Sequence, residues 1–273
     1  MKKLNYIIFL CLSIILISST LSYAGIDKSL YLTNTHISKD NLEINNMYSI
    51  ESKTLNEESS FFKSNIKYPY LKIKDKYSNK KNKSVKVIQD INNNIQSYIT
   101  GNFSKVKEQA KQYEDYYNGL TSKEKENTIK YQFEIDTDSE VSYNKNNLIS
   151  IPITTYEFTG GAHGMTYLTS FNYNLATGDE IQLKDMFKKD VDYVKIANKY
   201  ISSQIAKDKD NFFYNDPGIK GFTTISSNQE FYITDDGIVI YFPLYSIAPY
   251  STGIPKFKMT YKEFGKYLID LDK

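Results

Sequence analysis

The hydrophobic period changes midway along the chain, and that change restricts the fold more than any other feature. Val85, Ile88, Ile91, Ile95 and Ile99 recur at spacings of three and four, which is the apolar stripe of an amphipathic helix. Phe103, Val106, Ala110, Tyr113 and Tyr117 renew the stripe as far as Asn118-Gly119, a favourable helix stop, and Gly101-Asn102 is expected to interrupt or kink it. From Ile129 to Tyr173 the period is two, as in Phe133-Glu134-Ile135 and Val141-Ser142-Tyr143, with turn signals at Asn144 to Asn147 and at Gly160-Gly161. That stretch predicts an antiparallel meander. A second helix is expected on the stripe Val191, Val194, Ala197, Ile201 and Ile205, with Asp190 as N-cap. Asp208 to Ser227 reads as a long loop. Strands at Phe231 to Thr234 and Ile238 to Phe242 flank the hairpin signal Asp235-Asp236-Gly237, and a last strand at Lys256 to Thr260 precedes a closing helix over Tyr261 to Ile269. Strands in antiparallel groups with helices between the groups predict an α+β fold, an antiparallel sheet with helices packed on one side, as a single domain.

The ends of the chain read differently. Lys2 and Lys3, an apolar run from Tyr6 to Leu21, and the small residues of Ser22-Tyr23-Ala24 make residues 1–24 a secretory signal peptide; an uncleaved N-terminal anchor is the competing reading. Residues 25–64 are polar and without period, so a linker or lead-in is expected there, with His36 in solvent. The folded domain is then 65–273, opening on the alternating strand Ile66 to Ile73, where Pro69 favours an edge. It divides into an N-terminal half, 65–154, and a C-terminal half, 155–273. The lone cysteine, Cys11, would leave with the signal, removing disulfides, thiolate nucleophiles and Cys-ligated metal from the exported chain. Without Lys2 and Lys3, the 34 positive residues fall to 32 against 32 negative, and every positive residue is lysine. A neutral chain without arginine and bound for export is a poor nucleic-acid binder. After residue 24 no apolar run is long enough to span a bilayer, so no stable membrane span is expected once the signal is cleaved.

Two clusters can carry function. The first, Phe158 to Met165, holds Gly160, Gly161 and Gly164 around His163; the glycines allow positive φ and close backbone approach, so the functional reading is a backbone nest for an anion with His163 presented beside it on a strained turn. Beside that reading stands a plain one, in which the glycines fit a crowded sheet and His163 bonds a neighbour. The second, Tyr241 to Gly253, is stiffened by Pro243 and Pro249 and places Tyr245, Ser246 and Tyr250 on an irregular segment, either as a platform for sugar rings or partner side chains or as a buried aromatic corner. The eight candidate binding residues are thus Gly160, Gly161, His163, Gly164, Tyr245, Ser246, Pro249 and Tyr250. No metal-ligand spacing, cofactor fingerprint or Gly-x-Ser-x-Gly elbow appears, so neither metal nor cofactor is expected and no catalytic residue is assigned.

The two clusters, with Tyr173 to Glu180 and Leu183 to Phe187 between them, carry a resemblance. Gly160-Gly161-Ala162-His163-Gly164, the Leu175-Ala176-Thr177-Gly178 turn, Gly237 before its Tyr-Phe strand, and Ile247-Ala248-Pro249-Tyr250 resemble the extracellular domain family shared by the lysozyme-sensing anti-sigma-V factor and the N-terminal part of peptidoglycan deacetylase C. The match is specific over about 155–265 and looser over 65–154. Ser246 departs from it, standing where a larger polar residue is expected. With about five residues ahead of the apolar run and Lys273 soon after the matching stretch, neither a cytosolic sigma-binding segment nor the deacetylase's catalytic domain is expected. The resemblance implies an exported, non-catalytic binding module, secreted or held at the cell envelope, with lysozyme or cell-wall glycan as its partner. The alternative is a cell-wall hydrolase or deacetylase that uses His163 as a general base.

Overall fold

The computed structural model describes residues 44–78, 83–213 and 218–271; the expected signal peptide, Cys11, His36 and the first part of the lead-in lie outside them. Its fold is α+β, as the period change predicts, and is built on two sheets. The larger sheet contains β1 (Tyr48–Glu58), β2 (Phe62–Ile73), β3 (Phe133–Ser139), β4 (Tyr143–Lys145), β5 (Leu148–Phe158) and β6 (Met165–Asn174). Strands β3 and β4 share one edge of β5, opposite its two halves, and β6 runs along the whole of its other edge. The smaller sheet is β7 (Phe231–Thr234), β8 (Gly237–Tyr241) and β9 (Lys256–Thr260), antiparallel throughout. One pairing departs from the expected meander: β2 and β3 are parallel, from Phe62↔Phe133 to Ile66↔Thr137. Parallel neighbours need a long crossover, and the helices α1 (Asp75–Ser78), α2 (Lys83–Asn118) and α3 (Ser122–Glu126) supply it.

The described structure already includes Ile44 to Ser64 as part of the fold, ahead of the expected start at Asn65. Ile44, Met47 and Tyr48 are buried, and the Asn45 amide donates to Leu148 O at 3.1 Å while its oxygen accepts from Asn147 N at 2.7 Å. The polar run after it is β1, an edge strand exposed over most of its length, so it shows no alternation that composition could reveal. Pro69 does lie where, among the described residues, one side of β2 has no strand, since β3 stops pairing at Ile66.

Helix α2 corrects the expected break at Gly101, because its 36 residues run through that position. The stripe Ile88, Ile91, Ile95, Ile99, Val106 and Ala110 is buried against the larger sheet on both sides of Gly101. That packing outweighs one glycine's entropy. Nothing lies within 4 Å of where a Cβ at Gly101 would stand. Gly101→Ala is therefore expected to stabilise the fold by about 0.5–1 kcal/mol, read as a higher urea midpoint.

The second core joins the smaller sheet to α4 (Tyr193–Ile205), with Ala197, Ile201 and Ile205 against Ile233, Ile240 and Met259. Its N-cap is Asp192, whose carboxylate accepts from Lys195 N at 3.0 Å; the expected cap, Asp190, instead turns the chain at φ 68°. The closing helix α5 is only Tyr261–Phe264, because the following residues leave the helix to pair with the chain near Phe187: Leu268 bridges Phe187, and Ile269 N bonds Met186 O. The two sheets meet along a polar seam. Ser150 Oγ accepts from Ile233 N and donates to Asn172 Oδ1, and the Asn172 amide donates to Phe231 O. This seam orients the segment after β8 toward the turn between β5 and β6.

Candidate functional site

The β5–β6 pair closes at Glu157↔Met165, leaving Thr159 to Gly164 as the connection. Gly160 and Gly161 both sit at φ 93°, a backbone state that residues with a Cβ avoid. Gly164 is glycine for a different reason: a Cβ there would stand 2.4 Å from the Tyr156 ring, which lies across its backbone. His163, between them, is exposed. Its Nδ1 lies 2.9 Å from Gly164 O, and because a carbonyl only accepts, Nδ1 carries the proton. Nε2 is left as an acceptor, 3.4 Å from the Tyr245 hydroxyl.

The second segment comes to the same place. After β8, Pro243 to Ser246 form a turn closed by Ser246 N on Pro243 O at 3.2 Å. Tyr245 within it has φ 64°, an uncommon state for a bulky residue and one that turns up preferentially at functional sites. Pro249 then opens a 3-10 turn over Tyr250–Thr252. The Tyr250 ring stacks on His163 with centroids 4.3 Å apart and planes at 29°. Its hydroxyl donates to Gly164 O at 3.0 Å, and Tyr245 lies 5.6 Å away at 32°. Two segments more than eighty residues apart in sequence thus build one ledge of three rings.

Of the eight expected residues, the structure brings Gly164, His163, Tyr245 and Tyr250 into direct contact, with Gly160, Gly161 and Pro249 setting the backbone that presents them. Ser246 is not among them. Its hydroxyl donates to Pro243 O at 2.7 Å, and it lines a separate hollow of about 470 Å³ with Phe222, Glu230 and Phe242. Neither plain alternative describes the place fully: His163 does bond its neighbour, yet both it and Tyr245, 46% exposed, face solvent.

Sequence reading misses what adjoins the ledge. Tyr156 stands opposite Asp136 in the β3–β5 register, on the face of β3 that also carries Glu134 and Asp138. Burial pushes the Tyr156 hydroxyl above its ordinary range, and the Glu134 carboxylate, Tyr250 and Asp136 add to the shift. The alternation Phe133-Glu134-Ile135-Asp136 already places those carboxylates on one face. Only the fold places that face beside His163.

A second polar hollow, about 260 Å³, opens along the seam between Ser170, Asn172, Glu180, Gln182 and Glu230. Ser170 Oγ and the buried Tyr241 hydroxyl lie 3.0 Å apart, and Tyr241 donates to Glu230 Oε2 at 2.8 Å. The Glu180 carboxyl is pushed above the usual range, chiefly by burial and then by the Glu230 charge. A carboxyl whose pKa rises on folding favours the fold fully at pH below its unfolded value, near 4.3, and loses that contribution as pH rises through the folded value. Glu180 is exposed as a residue, so solvent screens much of this effect, and Glu180→Gln is expected to raise the melting temperature by only about 1 °C at pH 7 and to leave it unchanged near pH 4. Melting curves at the two pH values check this. Among the described residues no group of three His, Cys, Asp or Glu side chains is placed to hold a metal ion, and no helix is long and apolar enough to cross a membrane.

Comparison with known proteins bears out the resemblance. Residues 55–166 match the family described as deacetylase PdaC, and residues 184–262 match a protein family of unknown function, DUF3298. The peptidoglycan-N-acetylmuramic acid deacetylase PdaC of Bacillus subtilis is 28% identical over 117 residues, which are 42% of this chain and 25% of that protein. The chain therefore spans about a quarter of that relative's length. The crystal structure of a DUF3298 family member from Bacteroides fragilis shares the fold, with a TM-score of 0.58 and 23% identity, covering 82% of this chain and 94% of that one.

Proposed function

From a chain that is PdaC-like in its first half and DUF3298-like in its second, we propose a non-catalytic binding module, exported to the cell envelope, that holds cell-wall glycan on the His163–Tyr245–Tyr250 ledge. One observation carries the proposal: three neighbouring rings, two of them exposed, are held on strained or proline-stiffened backbone that ordinary packing does not require. Such a ledge offers a sugar ring an apolar face, while the Tyr245 hydroxyl and the carboxylates of β3 offer partners to its hydroxyls. The named substrate of the Bacillus relative, peptidoglycan N-acetylmuramic acid, favours the same ligand class. As a general base His163 is less well served, because its Nδ1 is oriented by a backbone carbonyl, where the Ser-His-Asp arrangement uses a carboxylate.

A second reading rests on a separate observation. The row Glu134, Asp136 and Asp138 beside the ledge suits a basic protein surface, and lysozyme is the partner that reading names. Calorimetric titration with soluble muropeptides and, separately, with lysozyme tests both. Saturable heat with muropeptides supports the glycan reading, and saturable heat with lysozyme alone supports the second. Silence with both removes the binding proposal.

A further inference from the structure

β1 lies at the edge of the larger sheet, and among the described residues it pairs only with β2. It has 11 residues, about twice the length of an ordinary strand. Its register with β2 runs unbroken from Tyr48↔Ile73 to Glu58↔Lys63, without a bulge, and it contains no proline. Sheets protect their edges with short strands, bulges, prolines or lysines of one charge sign. β1 has none of the first three, and its charges are mixed. Glu51 and Lys53 are two residues apart and so on the same face. Both are held in place there, Glu51 by Lys72 Nζ at 2.8 Å and Lys53 over the Tyr70 ring at 3.8 Å. Ile50, 41% exposed, comes just before them and points to the other face.

We propose that this edge pairs with a second copy of the chain, β1 against β1, antiparallel about a twofold axis through Ser52. An axis through a residue sets outward-pointing N–H and C=O groups opposite each other, as the antiparallel ladder requires. With the axis at Ser52, Glu51 faces Lys53 of the partner subunit, and symmetry repeats that ion pair. Ile50 then meets Thr54 of the partner subunit, and Tyr48 meets Asn56 of the partner subunit, so pairing extends over most of the strand. An axis at Thr54 would set Glu51 against a second glutamate, Glu57 of the partner subunit. The self-complementary charge pattern is what selects a second copy over an unrelated extended peptide, and the two larger sheets become one continuous sheet.

Sedimentation analysis of the purified protein, in the form its host exports, at concentrations up to about 100 µM tests the proposal. Wild type is expected to be a dimer. Lys53→Glu, which sets two pairs of like charges in opposition, is expected to weaken the dimer by about tenfold or more. The double variant Glu51→Lys with Lys53→Glu restores opposite charges across the axis and is expected to restore the dimer. Glu51, Lys53 and Glu57 are all exposed or half-exposed, so circular dichroism should show one fold for every variant at these positions. A monomeric wild type, or a dimer unmoved by Lys53→Glu, overturns the proposal. Rescue of Lys53→Glu by Glu57→Lys and not by Glu51→Lys overturns the axis at Ser52.

Discussion

Asn92→Leu is expected to lower stability by about 2–4 kcal/mol, a fall of about 5–12 °C in melting temperature, although leucine keeps the heavy-atom count and branching of the side chain. Asn92 sits on the buried face of α2 among isoleucines. Its oxygen accepts from Leu71 N and its amide donates to Leu71 O, both at 2.9 Å. β3 has already stopped pairing with β2 at Ile66, so on that side Leu71 has no strand to bond with among the described residues. One side chain therefore stands in for a missing strand. A hydrophobic replacement leaves a donor and an acceptor buried without partners, each at a cost of about 1–3 kcal/mol. Asn92→Asp should fall between, since it restores only the acceptor. A melting temperature within 2 °C of wild type for Asn92→Leu would show that β2 does not depend on this contact.

Tyr250→Ala is expected to weaken ligand binding at least tenfold while the far-ultraviolet circular dichroism stays that of wild type. Tyr250 is the shared member of the ledge: its ring supports His163, adjoins Tyr245, and is tied by its hydroxyl to Gly164 O. Removing it takes away one stacking surface and frees the other two. Tyr250→Phe keeps the stack and loses only the bond to Gly164 O, so it should retain most of the affinity. Titration of both variants with whichever ligand saturates wild type separates the contributions. Equal affinity for Tyr250→Ala and wild type would place the binding surface elsewhere.

The parts of this fold that follow from local chemistry are legible in the sequence. The isoleucine stripe of α2 and the Asp235-Asp236 hairpin between β7 and β8 lie where period and turn residues put them. Features decided at long range are not legible. Whether β2 and β3 run parallel depends on a crossover of about sixty residues, and β1 hides because an exposed edge leaves no alternation in its side chains. Gly101 misleads because helix propensity is weak beside the burial of a stripe that continues on both sides of it. The site divides in the same way. The glycines around His163 and the prolines around Tyr250 mark two irregular segments, but no local signal says that they touch. Tyr156 and the β3 carboxylates are missed because each is an ordinary strand residue until the register sets Asp136 opposite Tyr156. Ser246, taken with its neighbours by sequence proximity, points into another hollow because the turn from Pro243 directs it away from Tyr245.

Hydrogen-exchange footprinting of the protein with its saturating ligand, muropeptide or lysozyme, is the most direct test of the claim that the glycine turn and the proline segment form one binding surface. The account predicts slowed exchange in two separate stretches, 160–166 and 244–252, with smaller protection at Glu134 to Asp138. Protection confined to the seam around Glu180 and Glu230, with both stretches unchanged, would contradict it.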